Sequence, residues 1–162
     1  MNLSGTFLVP LAFSSAAAVT MATLGGLLTE LGPWYAQLKR PSWQPPDWAF
    51  GPIWSIILAL GAVAAALAWQ AAPEGPARKW LLAVLIANGI LHVMWSALFF
   101  KLHRPDWAFI EVILLWLSIV ALIVVLGYHS KVAGLLITPY LAWVTAAAIL
   151  NYQIVILNGP FK

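Results

Sequence analysis

Residues 33–54 read PWYAQLKRPSWQPPDWAFGPIW, and four tryptophans and five prolines fall inside this one stretch. Its first part, Pro33 to Trp48, also carries Lys39, Arg40 and Asp47, so it is too polar and too proline-rich to cross a bilayer. It is equally too aromatic for an ordinary solvated loop. Pro41, Pro45 and Pro46 fix the backbone and lower the entropy cost of holding one shape. Tryptophan and tyrosine do collect at membrane interfaces as anchors. An anchor, however, needs one or two aromatics and no stiffened backbone. The stretch is therefore expected to be a lid beside a small-molecule site, with interface anchoring as the plainer alternative.

What flanks the stretch sets the class. Of 162 residues, 63% are hydrophobic and 8% charged, with a mean hydropathy of +0.92. A soluble domain carries roughly 25% charged residues, so this is the composition of a membrane protein. A spanning helix needs about 20 mainly apolar residues, and five stretches qualify, at about 6–28, 49–71, 80–100, 106–127 and 132–157. Gly32-Pro33 ends the first. Pro73 to Lys79 forms the second break, Lys101 to Pro105 the third and Gly127 to Lys131 the fourth. Backbone groups in lipid must be paired internally, so spans of this length are helices. The expectation is an all-α membrane protein, one domain over 1–162, built as a five-transmembrane-helix bundle with the Trp/Pro-rich first loop as its lid. The segment MNLSG at the start lacks the positive charge of a signal peptide, and the first span is expected to be retained.

Five spans put the termini on opposite sides. Lys39, Arg40, Lys101, Arg104 and Lys162 fall on one side, and Arg78, Lys79 and Lys131 on the other. The positive-inside bias places the first loop and the C-terminus in the cytoplasm. The net charge of +3 is spread singly or in pairs at span ends, which gives no patch for phosphates and no nucleic-acid partner. With no cysteine there is no disulfide or thiol chemistry. Small residues recur at four-residue spacing in Ala18, Ala22 and Gly26 and in Ala83 and Ala87, which favours close helix pairing within the bundle or between two copies. No internal repeat supports an inverted-repeat transporter.

Helical spacing gathers polar and aromatic groups on two faces. Asn88, His92, Trp95, Ser96 and Phe99 share one face of the third span, and mid-membrane Asn88 must face the bundle interior. Tyr140, Trp143, Ala147 and Leu150 share a face of the fifth span, and Trp54 lies inside the second. Together they describe an apolar, aromatic-lined cavity with few polar groups. The alternative is that these tryptophans simply fill a membrane core.

The run WYAQLKRPSWQPPDWAFGPIW, with WSALFF at residues 95–100 and PYLAWVTAAAILNY at 139–152, resembles the signature of the TspO/translocator-protein family, also called tryptophan-rich sensory proteins or peripheral benzodiazepine receptors. The resemblance covers essentially the whole chain. It implies a five-helix bundle, often a homodimer, that binds porphyrins of the protoporphyrin IX kind. Some members also bind cholesterol and benzodiazepine- or isoquinoline-type drugs. Trp54 and Trp143 match positions used in porphyrin binding and, in some bacterial members, in light-dependent porphyrin breakdown; they are the candidate catalytic residues. Trp34, Tyr35, Trp43, Pro45 and Pro46 match the lid. Trp95, Trp107, Ala147 and Leu150 match the pocket lining, beside Asn88 and His92. No cofactor or metal is required; porphyrin is the ligand and the lipid bilayer the other partner.

Departures narrow the reading. Many members have asparagine where this chain has His92, which is expected to be a hydrogen-bonding replacement; a porphyrin-metal ligand is the sharper alternative. Leu58 stands where many members have tyrosine. The sterol motif needs a basic residue within about five positions of Tyr152, and Lys162 is too distant. Glu111, about one turn into the fourth span, is expected to favour the helix N-terminal dipole and reach the interface, ahead of a proton relay. Three scattered histidines and five acids assemble no acid–base or metal set. The expected function is a membrane receptor or sensor for porphyrins and other flat apolar ligands, acting in tetrapyrrole regulation or transport. The alternatives are a Trp-dependent photo-oxidative porphyrin-degrading enzyme and a sterol or lipid transporter. The absence of an extended tail points to a bacterial cell membrane ahead of a mitochondrial outer membrane.

Overall fold

In the computed structural model, residues 5–161 are described; Met1–Ser4 and Lys162, the latter counted above among the charges of the C-terminal side, lie outside them. Six α-helices follow one another. They are α1 (Gly5–Leu28), α2 (Pro33–Gln37), α3 (Asp47–Ala71), α4 (Pro76–Ser96), α5 (Pro105–His129) and α6 (Lys131–Asn158). A π-helical turn, Ala97–Lys101, continues α4. All but α2 are long and apolar enough to cross a membrane, and no strand occurs among the described residues. This is an all-α, multi-pass membrane bundle.

Prolines and one glycine set the helix starts. Pro33, Pro76 and Pro105 each open a helix, where the missing N–H costs nothing and the fixed φ already suits the helix. Gly75, at φ 93°, supplies the left-handed turn before α4. That start brings Arg78 and Lys79, read in the sequence as part of a break, into the first turn of α4. Ser130 alone separates α5 from α6 and caps α6 by accepting from the Ala133 amide at 3.3 Å. Pro139 lies within α6 and removes the partner of the Leu135 carbonyl, which instead accepts from Thr138 Oγ1 at 2.8 Å. In lipid that replacement matters, because no water is present to take the donor's place.

The bundle is packed unevenly. α5 and α6 form the most extensive pairing, with Val112, Leu115, Ile119, Leu122 and Leu126 buried against Ile137 and Val144. Their backbones meet at Gly127 and Gly134, where a Cβ on Gly134 would lie 2.9 Å from the Gly127 Cα. Only glycine fits there. Ala64 and Ala68 of α3 extend the same core. By contrast α1 rests mainly on α3 and touches α4 lightly. One interhelical bond ties it to α3, from Ser14 Oγ to the Ala62 carbonyl at 2.8 Å.

Candidate functional site

Among the described residues, one cavity opens in each half of the bundle. The first, about 410 Å³, lies on the first-loop side. Its walls are Trp54 and Phe50 from α3, His92 and Trp95 from α4, and Phe100 from the π-helical turn. Met21 and Gly25 of α1 form one side, Val144 and Ala147 of α6 another, and Tyr35 and Asp47 close the mouth. A cavity of this size and chemistry falls in the usual range for small-molecule sites, roughly 300–1,000 Å³ with apolar walls and a few polar groups.

The aromatic walls are held by one another. The Trp54 ring stands edge-on to His92 at 4.7 Å, to Tyr140 at 5.9 Å and to Trp143 at 6.4 Å. Such edge-to-face pairs contribute about 0.5–1.5 kcal/mol each beyond area burial. His92 Nδ1 and the Tyr140 hydroxyl share a hydrogen bond of 3.2 Å in the buried interior, which gives the histidine a structural partner. Trp95 donates its indole N–H to Asn151 Oδ1 at 3.1 Å, while Asn151 Nδ2 donates to the Pro105 carbonyl at 2.8 Å. One buried amide therefore fixes a cavity wall and joins α4, α5 and α6.

Over the mouth the first loop is tied down by a polar cluster. The Tyr35 hydroxyl donates to Asp47 Oδ1 at 2.8 Å, Arg40 reaches both Asp47 oxygens at 3.2 Å, and Gln44 Nε2 donates to the Tyr35 oxygen at 3.2 Å. The Arg40 guanidinium also lies 4.8 Å from the Tyr35 ring centre. Burial, and then the neighbouring Asp47 carboxylate, push the Tyr35 hydroxyl above its ordinary ionisation range, so it remains a donor at neutral pH. Two further ties anchor the loop. Asn158, at the end of α6, exchanges hydrogen bonds with the Lys39 backbone at 2.8 and 2.9 Å, and Trp34 stacks on His103 of the third loop at 4.2 Å.

The structure brings some of the sequence-derived candidates together and sets others apart. Tyr35, Trp54, His92, Trp95 and Ala147 line the first cavity. Trp143 backs it instead, packing edge-on against Phe50 at 5.5 Å and Trp54, with its indole N–H buried and unpartnered. Leu150 lies in the apolar cluster under the lid with Tyr35, Phe99 and Trp34. Asn88 donates to Ser118 Oγ at 2.8 Å and lines the second cavity. Pro46 precedes the first turn of α3 and Pro45 is half-buried beside it. Trp43 and Trp107 are each half exposed, and Arg104 lies over the Trp107 ring at 4.1 Å, as suits an interfacial side chain. Glu111 differs from its expected place at the interface. It is only 4% exposed, and neither carboxylate oxygen has a hydrogen-bond partner. Its spacing from the buried Ala108 and Leu115 turns it inward, into the bundle and away from the interface.

Sequence reasoning missed several lining groups: Phe50, Phe100, Met21 and Gly25 in the walls, and Asp47 at the mouth. Asp47 had a visible signal, an acid seven residues after Arg40 across a proline turn. On α1 the signal was indirect: Ala22 and Gly26 of the small-residue stripe line the cavity beside Met21 and Gly25, but such a stripe reads as helix packing.

Fold and site together define a multi-pass helical membrane protein with an aromatic intramembrane cavity roofed by a tied first loop. The model of the TspO/MBR family matches residues 13–157. Protein CrtK of Rhodobacter capsulatus is 35% identical over 90% of this chain and 91% of its own length. The tryptophan-rich protein TspO of Archaeoglobus fulgidus is 35% identical over 78% of the chain and 80% of its own. The human translocator protein is 31% identical over 74% and 71%. The chain belongs to the TspO/MBR family.

Proposed function

We propose that the first cavity binds a flat, conjugated tetrapyrrole of the protoporphyrin type, and that the protein serves as a membrane receptor or sensor acting in tetrapyrrole regulation or transport. The observation that carries this reading is the ring of aromatic walls, Trp54, Trp95, Phe50 and Phe100, beneath a roof whose polar groups sit at the mouth. Indole and phenyl faces suit a planar π-system. Lys39, next to the neutralised Arg40–Asp47 pair, puts positive charge near the mouth, where the carboxylates of such a ligand would stay in water. Protoporphyrin IX titrated into the detergent-solubilised protein should quench tryptophan fluorescence saturably. Trp54→Phe should weaken binding about 5- to 10-fold, roughly 1–1.4 kcal/mol, and Trp143→Phe less. Unsaturable quenching, or the same affinity in both variants, would sink the assignment.

One geometric feature favours a second reading. Trp54 and Trp143 are close enough, at 6.4 Å between ring centres, for an indole pair to relay electrons while dissolved dioxygen, as the terminal oxidant, photo-oxidises a bound porphyrin. Illumination of the complex should then bleach the Soret band in wild type and not in Trp143→Phe. A stable spectrum removes this reading.

The proposal includes a cytoplasmic first loop and a homodimer paired through the exposed α4 stripe of Ala83 and Ala87. Because the chain has no cysteine, a Ser42→Cys variant in intact cells tests the first point. Labelling by an impermeant maleimide from outside would overturn it. Light scattering of Ala83→Phe/Ala87→Phe tests the second; an unchanged mass rejects that face.

A further inference from the structure

The second cavity has a shape and chemistry of its own. It encloses about 590 Å³ between α1, α3 and α4, with Tyr140, Ile137 and Leu122 behind. Along α3 its wall runs from Leu58 to Trp69, and along α1 from Val9 to Met21. At 1.5 Å per residue those runs are about 17 Å long, close to the ~15 Å depth of one leaflet of a ~30 Å hydrocarbon core. The deep end is closed by Leu58 and Met21, which also line the first cavity, and Met21 Sδ lies 3.5 Å from where a Gly89 Cβ would stand. The side between α1 and α4 is where the helices touch lightly, and Phe13 on its rim is 75% exposed.

Polar groups in this cavity are already engaged. Ser14 Oγ donates to main-chain carbonyls, Asn88 Nδ2 to Ser118, and Tyr140 is paired with His92. Nothing there invites a polar ligand, so the body of an occupant is hydrocarbon. The shallow end differs. Trp69 lines it, and the Arg78 guanidinium lies over the Trp69 ring at 5.4 Å. Arg78 pairs through NH1 with the exposed Glu74 at 3.0 Å, but its Nε is buried without a partner. Lys79 follows in the same helical turn and is exposed. The partly exposed Arg78 guanidinium and the exposed Lys79 at the surface end of a leaflet-deep apolar slot match an anionic head joined to an acyl chain.

We propose that the second cavity is a binding site for one anionic glycerophospholipid, whose acyl chain enters sideways between α1 and α4 while its phosphate rests at Arg78 and Lys79. The site is separate from the porphyrin cavity and does not depend on it. Gly61 lines the slot, and a side chain built there meets open space. Gly61→Phe therefore fills the slot from within.

The test uses nanodiscs of phosphatidylcholine containing a small fraction of phosphatidylglycerol with a diazirine in its acyl chain, and mass spectrometry to map the crosslinks. Labelling of 14–21 and 58–69 should saturate and be competed by unlabelled phosphatidylglycerol. It should fall at least fivefold in Gly61→Phe and about threefold in Arg78→Gln, with porphyrin quenching unchanged in both. Ala17→Leu, which intrudes from the opposite wall, gives the same reading if Gly61→Phe folds poorly. Unsaturable labelling that Gly61→Phe and Ala17→Leu leave intact shows bulk lipid contact only and overturns the proposal. Equal labelling by a phosphatidylcholine carrying the same diazirine chain, with Arg78→Gln unaffected, overturns the anionic-head assignment.

Discussion

Asn151 is the side chain whose loss the site would feel most from a distance. Its amide accepts from Trp95 and donates to the Pro105 carbonyl, so Asn151→Leu strands the Trp95 indole N–H and removes the bond that joins α6 to the start of α5. The orphaned indole alone costs about 1–3 kcal/mol. The expected outcome is a clearly lower unfolding temperature in detergent, together with weaker porphyrin quenching because Trp95 loses its fixed pose. A variant with wild-type melting would mean the amide is not the joint described above. Glu111 stands at the same scale with the opposite condition, a carboxyl with no partner. An isolated charge there would be far costlier than a neutral acid.

At the scale of elements, the first loop carries the sharpest expectation. Pro45→Ala/Pro46→Ala frees the backbone between Arg40 and Asp47, the first residue of α3, without touching any buried contact of the bundle. Porphyrin affinity should drop several-fold while helical content and melting stay near wild type; unchanged affinity would make the loop an interface anchor. The five spans were legible in the sequence because apolar length and proline-marked breaks act locally. So were the inward faces of α4 and α6, where Asn88, His92 and Trp95, and Tyr140 and Ala147, recur at helical spacing. The tie between Lys39 and Asn158 was not legible, since it joins residues 119 apart through a fold no local pattern encodes. Nor was the division of Asn88 from His92. One helical turn separates them, yet they line different cavities, because Leu58 and Met21 partition the interior between them.

The whole molecule divides into a well-buried group of helices and one that lies largely exposed on its flank. α5 and α6 are locked at the Gly127–Gly134 contact, and Gly134→Ala would push backbone against backbone, whereas α1 is the least buried of the five spans. That least buried helix borders both cavities, and its Met21 lies on the partition. Parting α1 from α4, where contact is light, keeps its broad seat on α3 and displaces the lipid beside it, whose resistance is viscous. Exchange of a bound ligand should therefore follow the fluidity of the host bilayer: porphyrin release, timed by stopped-flow fluorescence, should slow several-fold from unsaturated to saturated phosphatidylcholine at equal temperature. A release rate indifferent to lipid saturation would mean that the first loop alone controls exit. The composition of the membrane then becomes a kinetic variable of the receptor, set by the cell's lipid metabolism and by its growth temperature.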